Sequence, residues 1–411
     1  MSLAALYNTA SPLALAAVVA GAGALALRHY RALPAVQALT TGSSGSEEET
    51  LPRVSIVVPA RDEERNLPAL LRSLAALDYP SYEVIVVDDA STDATGALAE
   101  EEAARTNGLV RVLHGTGPEP GWTGKNFACA LGARAATGEW LLFTDADTEH
   151  APASLRVAVT TAVQSRARAV SLFTRQRCLT FWERLLLPFA YQQYFVGVRP
   201  EGLLRPGGPA LANGQYFLIA RDAYEAAGGH AAVAASIIDD VALAGALKQA
   251  GYPPLACQGE SLVAVRMYDG LRSLAEGFTK NSFSFLQEQR DKGALVILST
   301  ACAAGVAPAL IGTALRGSGP VALAGGIAAY VAQVALLAPW VRRFGVGWGY
   351  ALLAPLAALA FTGIALSSAL HTLARRPVRW KGRGYQAAER ATVAAGERAG
   401  EPVDGEARHV R

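Results

Sequence analysis

Long apolar runs stand at both ends of this 411-residue chain, and they constrain its fold more than any other feature. The first, residues 10–27, is uncharged and has about the shortest length that crosses the hydrocarbon core of a membrane. Three more uncharged runs, residues 294–315, 320–341 and 348–370, follow near the C-terminus. The pattern predicts a membrane protein whose less apolar middle forms a separate domain.

Composition agrees with this division. Hydrophobic residues make up 51% of the chain and charged residues 18%, which is below the quarter usual in soluble proteins. The net charge of +2, without a basic stripe interleaved with aromatic residues, argues against nucleic acid as a partner. Cys129, Cys178, Cys257 and Cys302 lack the paired spacing of a zinc site, so we expect reduced thiols. A metal ion, where one binds, must be held by carboxylates.

The charges beside the first apolar run predict its orientation. No basic residue precedes the run, as one would in a cleaved signal peptide, whereas Arg28, His29 and Arg31 follow it at once. By the positive-inside rule, residues 1–31 form an anchor in the cell membrane, with the rest of the chain starting in the cytoplasm. Residues 32–52 are then expected to form a polar linker.

The number of crossings in the C-terminal membrane region, residues 294–371, stays open. Three full crossings would place Arg342 and Arg343 inside, as the charge rule requires, but would leave the basic residues between 375 and 383 outside. Either one apolar run is re-entrant or interfacial, or the rule fails at one end. Residues 372–411 are expected to form a basic juxtamembrane segment and a disordered tail.

Between residues 53 and 270, short apolar runs alternate with helical patterns. The runs at 54–59, 83–87, 110–113 and 140–144 are almost continuously apolar, which is typical of strands buried on both faces. Such strands, separated by helices, predict an α/β domain with a mostly parallel, Rossmann-like sheet. Ligands of such sheets bind at the carboxyl ends of the strands, so we look for function there.

Acidic residues stand at those strand ends. Asp89 ends the second run, where a carboxylate can bind nucleoside hydroxyl or base N–H groups. Asp145 and Asp147 follow the fourth run, and two carboxylates one residue apart can bind one hard divalent cation, Mg²⁺ or Mn²⁺. Such an ion takes phosphate oxygens and waters as its other ligands. The pattern therefore favours a metal-bound diphosphate over a solvated turn.

Four segments together resemble the family 2 glycosyltransferases, in that family's order and spacing. The resemblance covers residues 53 to about 290 and implies the GT-A nucleotide-sugar-binding fold. Finer patterns, GWTGKN at 121–126, GGH at 228–230 and RMY at 266–268, resemble a membrane-bound branch with hopanoid-associated and carotenoid-type glycosyltransferases, which act on isoprenoid lipids. The four segments are 54–67 (VSIVVPARDEERNL), 83–95 (EVIVVDDASTDAT), 121–148 (GWTGKNFACALGARAATGEWLLFTDADT) and 237–252 (IIDDVALAGALKQAGY).

The resemblance implies a donor site built from these segments. Pro59, Arg61 and Asp89 would line the nucleotide pocket, with Asp89 on the base. Lys125 and Asn126 fall where the family places donor-binding groups, and a lysine there can neutralise diphosphate charge. The alternative for the lysine is a solvated position at a helix start.

The same resemblance assigns the metal site and the catalytic base. Asp145 and Asp147 match the family's DxD motif, with Asp147 the direct ligand of Mg²⁺ or Mn²⁺. Asp240 matches the general base that takes the proton of an acceptor hydroxyl in inverting members. Asp239 replaces the usual glutamate, which leaves open which of the pair faces the acceptor. The alternative is that the pair caps the following helix, as we expect of Asp239.

These expectations combine into one function. Residues 271–293 are expected to form an interfacial helix with Leu271, Leu274, Phe278 and Phe285 on one face, without the Q/R-x-x-R-W motif of processive synthases. We therefore expect transfer of one sugar from a nucleotide-diphosphate sugar, UDP-linked, to a hydroxyl or carboxyl of a membrane lipid. The alternatives are a processive polysaccharide synthase and an inactive nucleotide-binding scaffold.

Overall fold

The chain folds into an α/β domain joined to a bundle of apolar helices. The computed structural model describes residues 3–36, 51–198, 200, 202–205, 208–288, 290–315, 319–373, 378–380 and 383–385. The expected polar linker and disordered tail fall mostly on residues outside these ranges.

The elements alternate along the domain much as the sequence patterns indicate. The strands are β1 (Val54–Ala60), β2 (Tyr82–Asp89), β3 (Val110–Gly115), β4 (Trp140–Phe143), β5 (Thr148–His150), β6 (Ala169–Phe173), β7 (Arg175–Gln176), β8 (Phe217–Ala220), β9 (Leu255–Gln258), β10 (Val263–Val265), β11 (Val378–Trp380) and β12 (Arg383–Tyr385). Helix α1 (Leu3–Arg31) precedes the domain. The domain helices are α2 (Leu67–Ala75), α3 (Thr95–Arg105), α4 (Gly124–Ala135), α5 (Ser154–Gln164), α6 (Phe181–Gly197), α7 (Arg221–Ala226) and α8 (Asp239–Gln249). After the domain come α9 (Leu271–Glu288), α10 (Arg290–Leu315), α11 (Pro320–Arg343), α12 (Gly349–Leu352) and α13 (Ala354–Leu373).

A seven-stranded sheet lies at the centre of the domain, in the order β3-β2-β1-β4-β8-β6-β9. Strands β1 to β4 pair in parallel, whereas β8 runs antiparallel between β4 and β6. The four strands expected from the sequence are β1 to β4. The prediction of a mostly parallel sheet is therefore confirmed.

Helices cover both faces of this sheet, which explains why its strands are apolar throughout. On one face, Leu67, Leu70 and Leu74 of α2 are fully buried in the main core. On the other face, α4 packs so closely that a Cβ on Gly132 would lie 2.3 Å from Cγ1 of Val57. Neither face is left to water, so no polar alternation is needed.

The apolar helices pack side by side beyond the domain. Within the part of the chain that the structure describes, three of them contain stretches long and apolar enough to cross a membrane: Pro12–Arg31 in α1, Leu295–Leu315 in α10 and Pro320–Arg343 in α11. Helices α1 and α11 run in the same direction, because Gly325 lies against Leu13 and Gly23 lies against Leu336.

Helix α10 runs opposite to α11. Near one end Gly326 lies against Leu310, and further along the Gln333 side chain donates to the Ala303 carbonyl at 3.2 Å. Helices α1, α10 and α11 therefore alternate in direction along the chain, as three successive membrane spans require. The three predicted runs at 10–27, 294–315 and 320–341 thus correspond to full-length helices.

The last apolar run, 348–370, is divided between α12 and α13 and does not follow the bundle to its far end. After α11 the chain turns back along that helix until the Leu352 carbonyl accepts a hydrogen bond from the Tyr330 hydroxyl at 3.1 Å. Helix α13 then returns toward the domain, where the Phe361 ring lies 5.4 Å from Phe278 of α9 and 5.7 Å from Phe189 of α6. The segment thus begins at the domain end of the bundle and lies at that end again at Phe361.

Side chains of the domain hold the ends of α1 and α11. The Gln258 amide donates to the Tyr30 and Leu33 carbonyls at 3.1 and 2.8 Å. The Arg343 guanidinium pairs with Glu260 at 2.9 Å and lies 3.8 Å from the centre of the Tyr30 ring. Both helices therefore end on the domain, with their terminal arginines beside it.

Helices α6 and α9 lie between the domain and the bundle. Phe195 of α6 packs against Tyr30 and Trp340, and all three side chains are buried. In α9, Leu274 is buried and Phe278 packs on the same core, but Leu271 is 39% exposed. The expected apolar face of α9 is therefore only partly buried, and the Phe285 side chain lies outside the described part.

Candidate active site

The carboxyl ends of the central strands open into a small pocket. Five residues expected to form the site line it: Pro59, Lys125, Asp145, Asp239 and Asp240. The other four, Arg61, Asp89, Asn126 and Asp147, lie outside that lining. The segments that the sequence analysis singled out separately thus meet in space at one end of the sheet.

Lys125 stands in the first turn of α4. The side chain of Thr123, the N-cap residue just before this helix, accepts a hydrogen bond from the Asn126 N–H at 3.3 Å. The Lys125 ammonium lies 2.8 Å from Oδ1 of Asp145 and 3.2 Å from Oδ2 of Asp239. Burial opposes the charge, but the two carboxylates raise the pKa of Lys125 well above its ordinary value. It is therefore a charged bridge between the end of β4 and the start of α8, on a side chain that remains 36% exposed.

Asp240 stands in the first turn of α8 with both carboxylate oxygens held. Oδ2 accepts from the Gly214 N–H at 2.8 Å, and Oδ1 accepts from the Val241 N–H at 2.8 Å. Burial and the neighbouring Asp239 raise the pKa of Asp240 to about 6, against the opposing effect of Lys125 and these N–H groups. Such a pKa suits a group that is ionised at neutral pH and can still accept a proton.

The pair at 239 and 240 divides its tasks differently from the expectation. Asp240 bonds to an N–H of its own helix, whereas Asp239 pairs with the Lys125 ammonium. Helix α8 has no side-chain cap at its N-cap residue, Ile238, and the Asp240 bond joins two adjacent residues. Both carboxylates still line the pocket.

The segment after β4 carries the two aspartates of the expected metal site. The buried Thr144 hydroxyl donates to the Gln215 carbonyl at 2.8 Å, and Asp145 follows it with its carboxylate on Lys125. The Asp147 carbonyl accepts from the Arg266 N–H at 3.2 Å, which joins this segment to β10.

Two strand-end carboxylates are a donor set of the kind that binds Mg²⁺ or Mn²⁺. Among the described residues, no group of three His, Cys, Asp or Glu side chains is placed to hold a metal ion alone. An ion at Asp145 and Asp147 would therefore take its remaining ligands from water and a bound diphosphate. The residues present fit an ion shared with a substrate.

Arg61, directly after β1, contacts the turn at the end of β2, where Asp89 lies. The Arg61 guanidinium donates to the Asp89 and Ala90 carbonyls at 2.6 and 3.0 Å. Ala90 has φ of 54°, in the left-handed region that favours glycine, so these two bonds stabilise a strained turn. Asp89 itself is 4% exposed. Their expected contact with a nucleotide stays a prediction.

Asn126 is fully buried behind the pocket. Its amide donates to the carbonyls of Val233, Ala234 and Ser236 at 2.7, 3.1 and 3.0 Å. These carbonyls belong to the segment that leads into α8 and its two aspartates. The contacts give Asn126 a positioning role, whereas its expected role in donor binding stays a prediction.

The sequence analysis missed the turn at 213–215, which contacts three parts of the site. Besides the Gly214 N–H on Asp240, the Gln215 carbonyl holds Thr144. A Cβ on Gly214 would lie 3.1 Å from the Lys125 nitrogen, so a larger residue there would require the lysine to shift by a few tenths of an ångström. The available signal was an Asn-Gly pair one residue before the apolar run YFLIA.

The buried Gln215 side chain anchors this turn from beneath. Its Oε1 accepts from Thr174, from Gln176 at 3.2 Å and from Asn213 at 3.2 Å. His230, the last residue of the GGH pattern, lines the opposite wall, and burial lowers its pKa to about 4. A neutral His230 bonds to the Tyr224 hydroxyl at 2.9 Å and adds no charge to the pocket.

Comparison with known proteins agrees with this geometry. Residues 55–226 match the model of glycosyl transferase family 2. The chain is 31% identical over 241 residues to the 4,4'-diaponeurosporenoate glycosyltransferase of Staphylococcus haemolyticus, covering 57% of this chain and 62% of that protein. The Staphylococcus aureus (strain MRSA252) protein of the same name is 31% identical over 232 residues, covering 56% and 60%. The matches span about three fifths of these relatives.

A solved structure matches more of the chain. The mannosyltransferase of Pyrobaculum calidifontis, in complex with GDP-Man and Mn²⁺, superimposes with a TM-score of 0.56 at 22% identity. The match covers 88% of this chain and 99% of that one. It establishes the GT-A fold and, because it extends over most of the chain, includes part of the helical bundle.

Replacing Asn126 with leucine separates its two possible roles. The variant leaves the Ser236 carbonyl without the Asn126 donor, while the Val233 and Ala234 carbonyls keep one backbone N–H each, so we expect a loss of about 1–3 kcal/mol of stability. We also expect faster hydrogen exchange in residues 233–240, measured by mass spectrometry. Asn66→Leu, which removes the 2.7 Å bond to Glu63 near the end of β1, is the control and should leave that segment unchanged. Loss of donor binding with unchanged exchange would instead place Asn126 on the donor.

Proposed function

We propose, on the premise that residues 55–226 form a glycosyl transferase family 2 domain, that this protein transfers one sugar from a nucleotide-diphosphate sugar to a membrane lipid. The observation that carries the proposal is the meeting of Lys125, Asp145, Asp239 and Asp240 in one pocket. These groups come from three separate strand ends or helix starts. Their charges suit a diphosphate at one end of a sugar and a proton acceptor at the other.

The donor would lie across the carboxyl ends of β1, β2 and β4. Its nucleotide would contact Pro59, Arg61 and Asp89, and Lys125 would exchange a carboxylate partner for a diphosphate oxygen. A divalent cation, Mg²⁺ or Mn²⁺, bound by Asp145 and Asp147 would neutralise charge on the leaving diphosphate. We propose a UDP-linked sugar first, with GDP-mannose as the second donor to test.

Asp240 would act on the acceptor. Its carboxylate would take the proton of an acceptor hydroxyl while that oxygen attacks the anomeric carbon and the bond to the diphosphate breaks. The N–H groups of Gly214 and Val241 fix the carboxylate for this step. Attack opposite the leaving group gives inversion.

A membrane lipid is the proposed acceptor because the domain lies directly on the apolar bundle. The two staphylococcal relatives are named for an isoprenoid carboxylic acid, which supports an isoprenoid-type lipid with a hydroxyl or carboxyl. A processive synthase is the weaker candidate, because the described spans are rich in alanine and glycine and offer few polar side chains to a growing sugar chain.

Purified protein in detergent tests the reaction, with labelled UDP-glucose, Mg²⁺ or Mn²⁺, and a total lipid extract. We expect one labelled lipid, and we expect Asp147→Ala and Asp240→Ala each to lower the rate by about 100-fold or more. Asp222→Ala, an exposed acid paired with Arg168, is the control and should keep full activity. A ladder of product masses would point to a processive synthase, and turnover indifferent to both variants would remove these residues from catalysis.

The rate should depend on pH through Asp240. Its pKa is raised to about 6, so the base form is lost as the pH falls through that value, and the rate falls with it. Lys125 lowers this pKa. In Lys125→Met the residual activity should therefore fall at a higher pH than in the wild type as the solution is made more acidic. Donor binding is measured over the same range as the control. An acid limb near pH 4 in both proteins would contradict the assignment.

For the membrane, we propose a multi-pass protein with its catalytic domain in the cytoplasm. Helices α1, α10 and α11 would cross, while α12 and α13 would form a re-entrant pair. Arg28, Arg31, Arg342 and Arg343 then lie on the domain side together with the basic residues after α13, as the charge rule requires. This arrangement supports the re-entrant alternative left open by the sequence.

Cysteine labelling in intact cells tests this topology. In a background without the four native cysteines, Leu315→Cys, at the far end of α10 and 82% exposed, should react with an impermeant maleimide from outside. Gly384→Cys, after α13, should react only once the membrane is permeabilised. Outside labelling of Gly384→Cys would mean that the last apolar run crosses the membrane.

A further inference from the structure

Three tyrosines stand between the acidic pocket and the helical bundle. Tyr191 and Tyr194 lie on α6, and Tyr268 follows β10 in the RMY pattern. Burial raises the pKa of Tyr191, and the neighbouring Tyr194, Tyr268 and Asp240 raise it further. Burial and Asp240 act in the same way on Tyr194, and burial and Asp147 on Tyr268. The phenols are thus neighbours of one another and of the proposed catalytic and metal-binding carboxylates.

The hydroxyl groups of these three tyrosines differ in hydrogen bonding from those of other tyrosines in the domain. The buried Tyr79 and Tyr216 are satisfied, because Tyr79 donates to the Pro52 carbonyl at 2.6 Å and Tyr216 to the Ser154 carbonyl at 3.3 Å. Within the described part of the chain, the hydroxyls of Tyr191, Tyr194 and Tyr268 have no hydrogen bond to another residue. Tyr191 and Tyr194 are partly exposed, and none of the three hydroxyls is sealed from solvent, so together they offer hydrogen-bonding groups to a ligand beside the reacting centre.

An aromatic surface continues from these hydroxyls toward the bilayer. The Tyr268 ring lies 5.5 Å from Phe278, which lies 5.4 Å from Phe361 of α13. Phe189 of α6 lies 5.7 Å from Phe361 on the other side. On the same helix as Phe361, Leu356 is 43% exposed and belongs to the surface that would face lipid. The reacting centre and the lipid phase are therefore connected through apolar side chains.

The approach of α9 to this site is built into the sequence. A Cβ on Gly277 would lie 2.5 Å from the Tyr268 ring and 2.6 Å from its hydroxyl oxygen. Only glycine lets the helix backbone lie against Tyr268 in this position. Alanine there should displace the Tyr268 ring while leaving every hydroxyl in the chain.

The charges near the three phenols favour a particular head group. Lys125 is paired with Asp145 and Asp239, and Arg266 lies 3.6 Å from the fully buried Glu183 carboxylate. A phosphate monoester would add about two negative charges beside Asp240. Hydroxyl donors beside cations that already pair with carboxylates suit a neutral hydroxyl group or a single carboxyl group better.

We infer that Tyr191, Tyr194 and Tyr268 form the polar end of the acceptor site, with Phe278 and Phe361 along its apolar part. The ligand class is a long apolar molecule that ends in a hydroxyl or carboxyl group, not a polyprenyl phosphate. The inference rests on the proposed function, since it identifies where that reaction would hold its acceptor.

Photolabelling tests the site without requiring turnover. The probe is palmitic acid with a diazirine at its far end, bound to the full-length protein in detergent, and labelled peptides are mapped by mass spectrometry. We expect labels on α9 and α13, displaced by excess unlabelled palmitic acid. An equal concentration of undecaprenyl phosphate should displace less than a tenth as much. Displacement by the phosphate at lower concentration than by palmitic acid would overturn the head-group assignment.

Conservative variants test the residues. Each of Tyr191→Phe, Tyr194→Phe and Tyr268→Phe should weaken probe binding about fivefold, and Gly277→Ala should do so with all hydroxyls retained. The matched controls are Tyr82→Phe, which loses a bond to the Leu74 carbonyl far from the pocket, and Gly245→Ala, where a Cβ meets open space. Controls that weaken binding equally, or site variants that leave it unchanged, would overturn the inference.

Sugar transfer by the same variants separates this inference from the proposed function. If the site is correct, the tyrosine variants should raise the acceptor KM about fivefold and leave the donor KM unchanged. Transfer with normal acceptor KM in all three variants would refute the site while the proposed function stands. Probe binding that depends on the three hydroxyls, in a protein that transfers no sugar, would keep the site and refute the function.

Discussion

The crowding of carboxylates around a single ammonium group is the constraint on which the rest of this site depends. Asp145 follows β4, Asp239 and Asp240 begin α8, and Lys125 of α4 pairs directly with Asp145 and Asp239. Burial and the like charge of Asp239 together raise the pKa of Asp240. Because its ionised form is destabilised in this way, Asp240 is a better proton acceptor. A diphosphate would add further negative charge, so a divalent cation is the natural complement.

The backbone around the site is held by contacts that no local pattern reveals. Strands β1 to β4 could be predicted because burial on both faces makes their sequences continuously apolar. Asn126 and Gly214 could not be assigned in the same way, because their partners lie from 26 to about 110 residues away in the chain. A buried amide that holds three carbonyls has the same sequence signature as one that binds a ligand. Motifs therefore locate the site, and only packing separates its ligands from its supports.

The expected tasks of Asp239 and Asp240 show the same limit at closer range. Sequence spacing puts both carboxylates in the first turn of a helix, where either can bond to a backbone N–H. Which one does so depends on Lys125 and Gly214, which approach from other elements. Since Lys125 takes Asp239, Asp240 keeps two N–H donors and a fixed orientation. A fixed carboxylate that carries a raised pKa is better suited to proton transfer than one neutralised by an ammonium group.

The last apolar run illustrates what hydropathy alone cannot decide. Its length permits a crossing, but a break between α12 and α13 leaves carbonyl groups without helical partners, which is costly where water is absent. The neighbouring helix supplies one such donor, because the Tyr330 hydroxyl bonds to the Leu352 carbonyl at 3.1 Å, and the Gln333 amide also lies 3.5 Å from the Ala354 carbonyl at the start of α13. Two polar residues three positions apart in an otherwise apolar helix are thus explained by the turn they support. By bringing α13 back to the domain, that turn also places Phe361 beside the aromatic residues next to the acidic pocket.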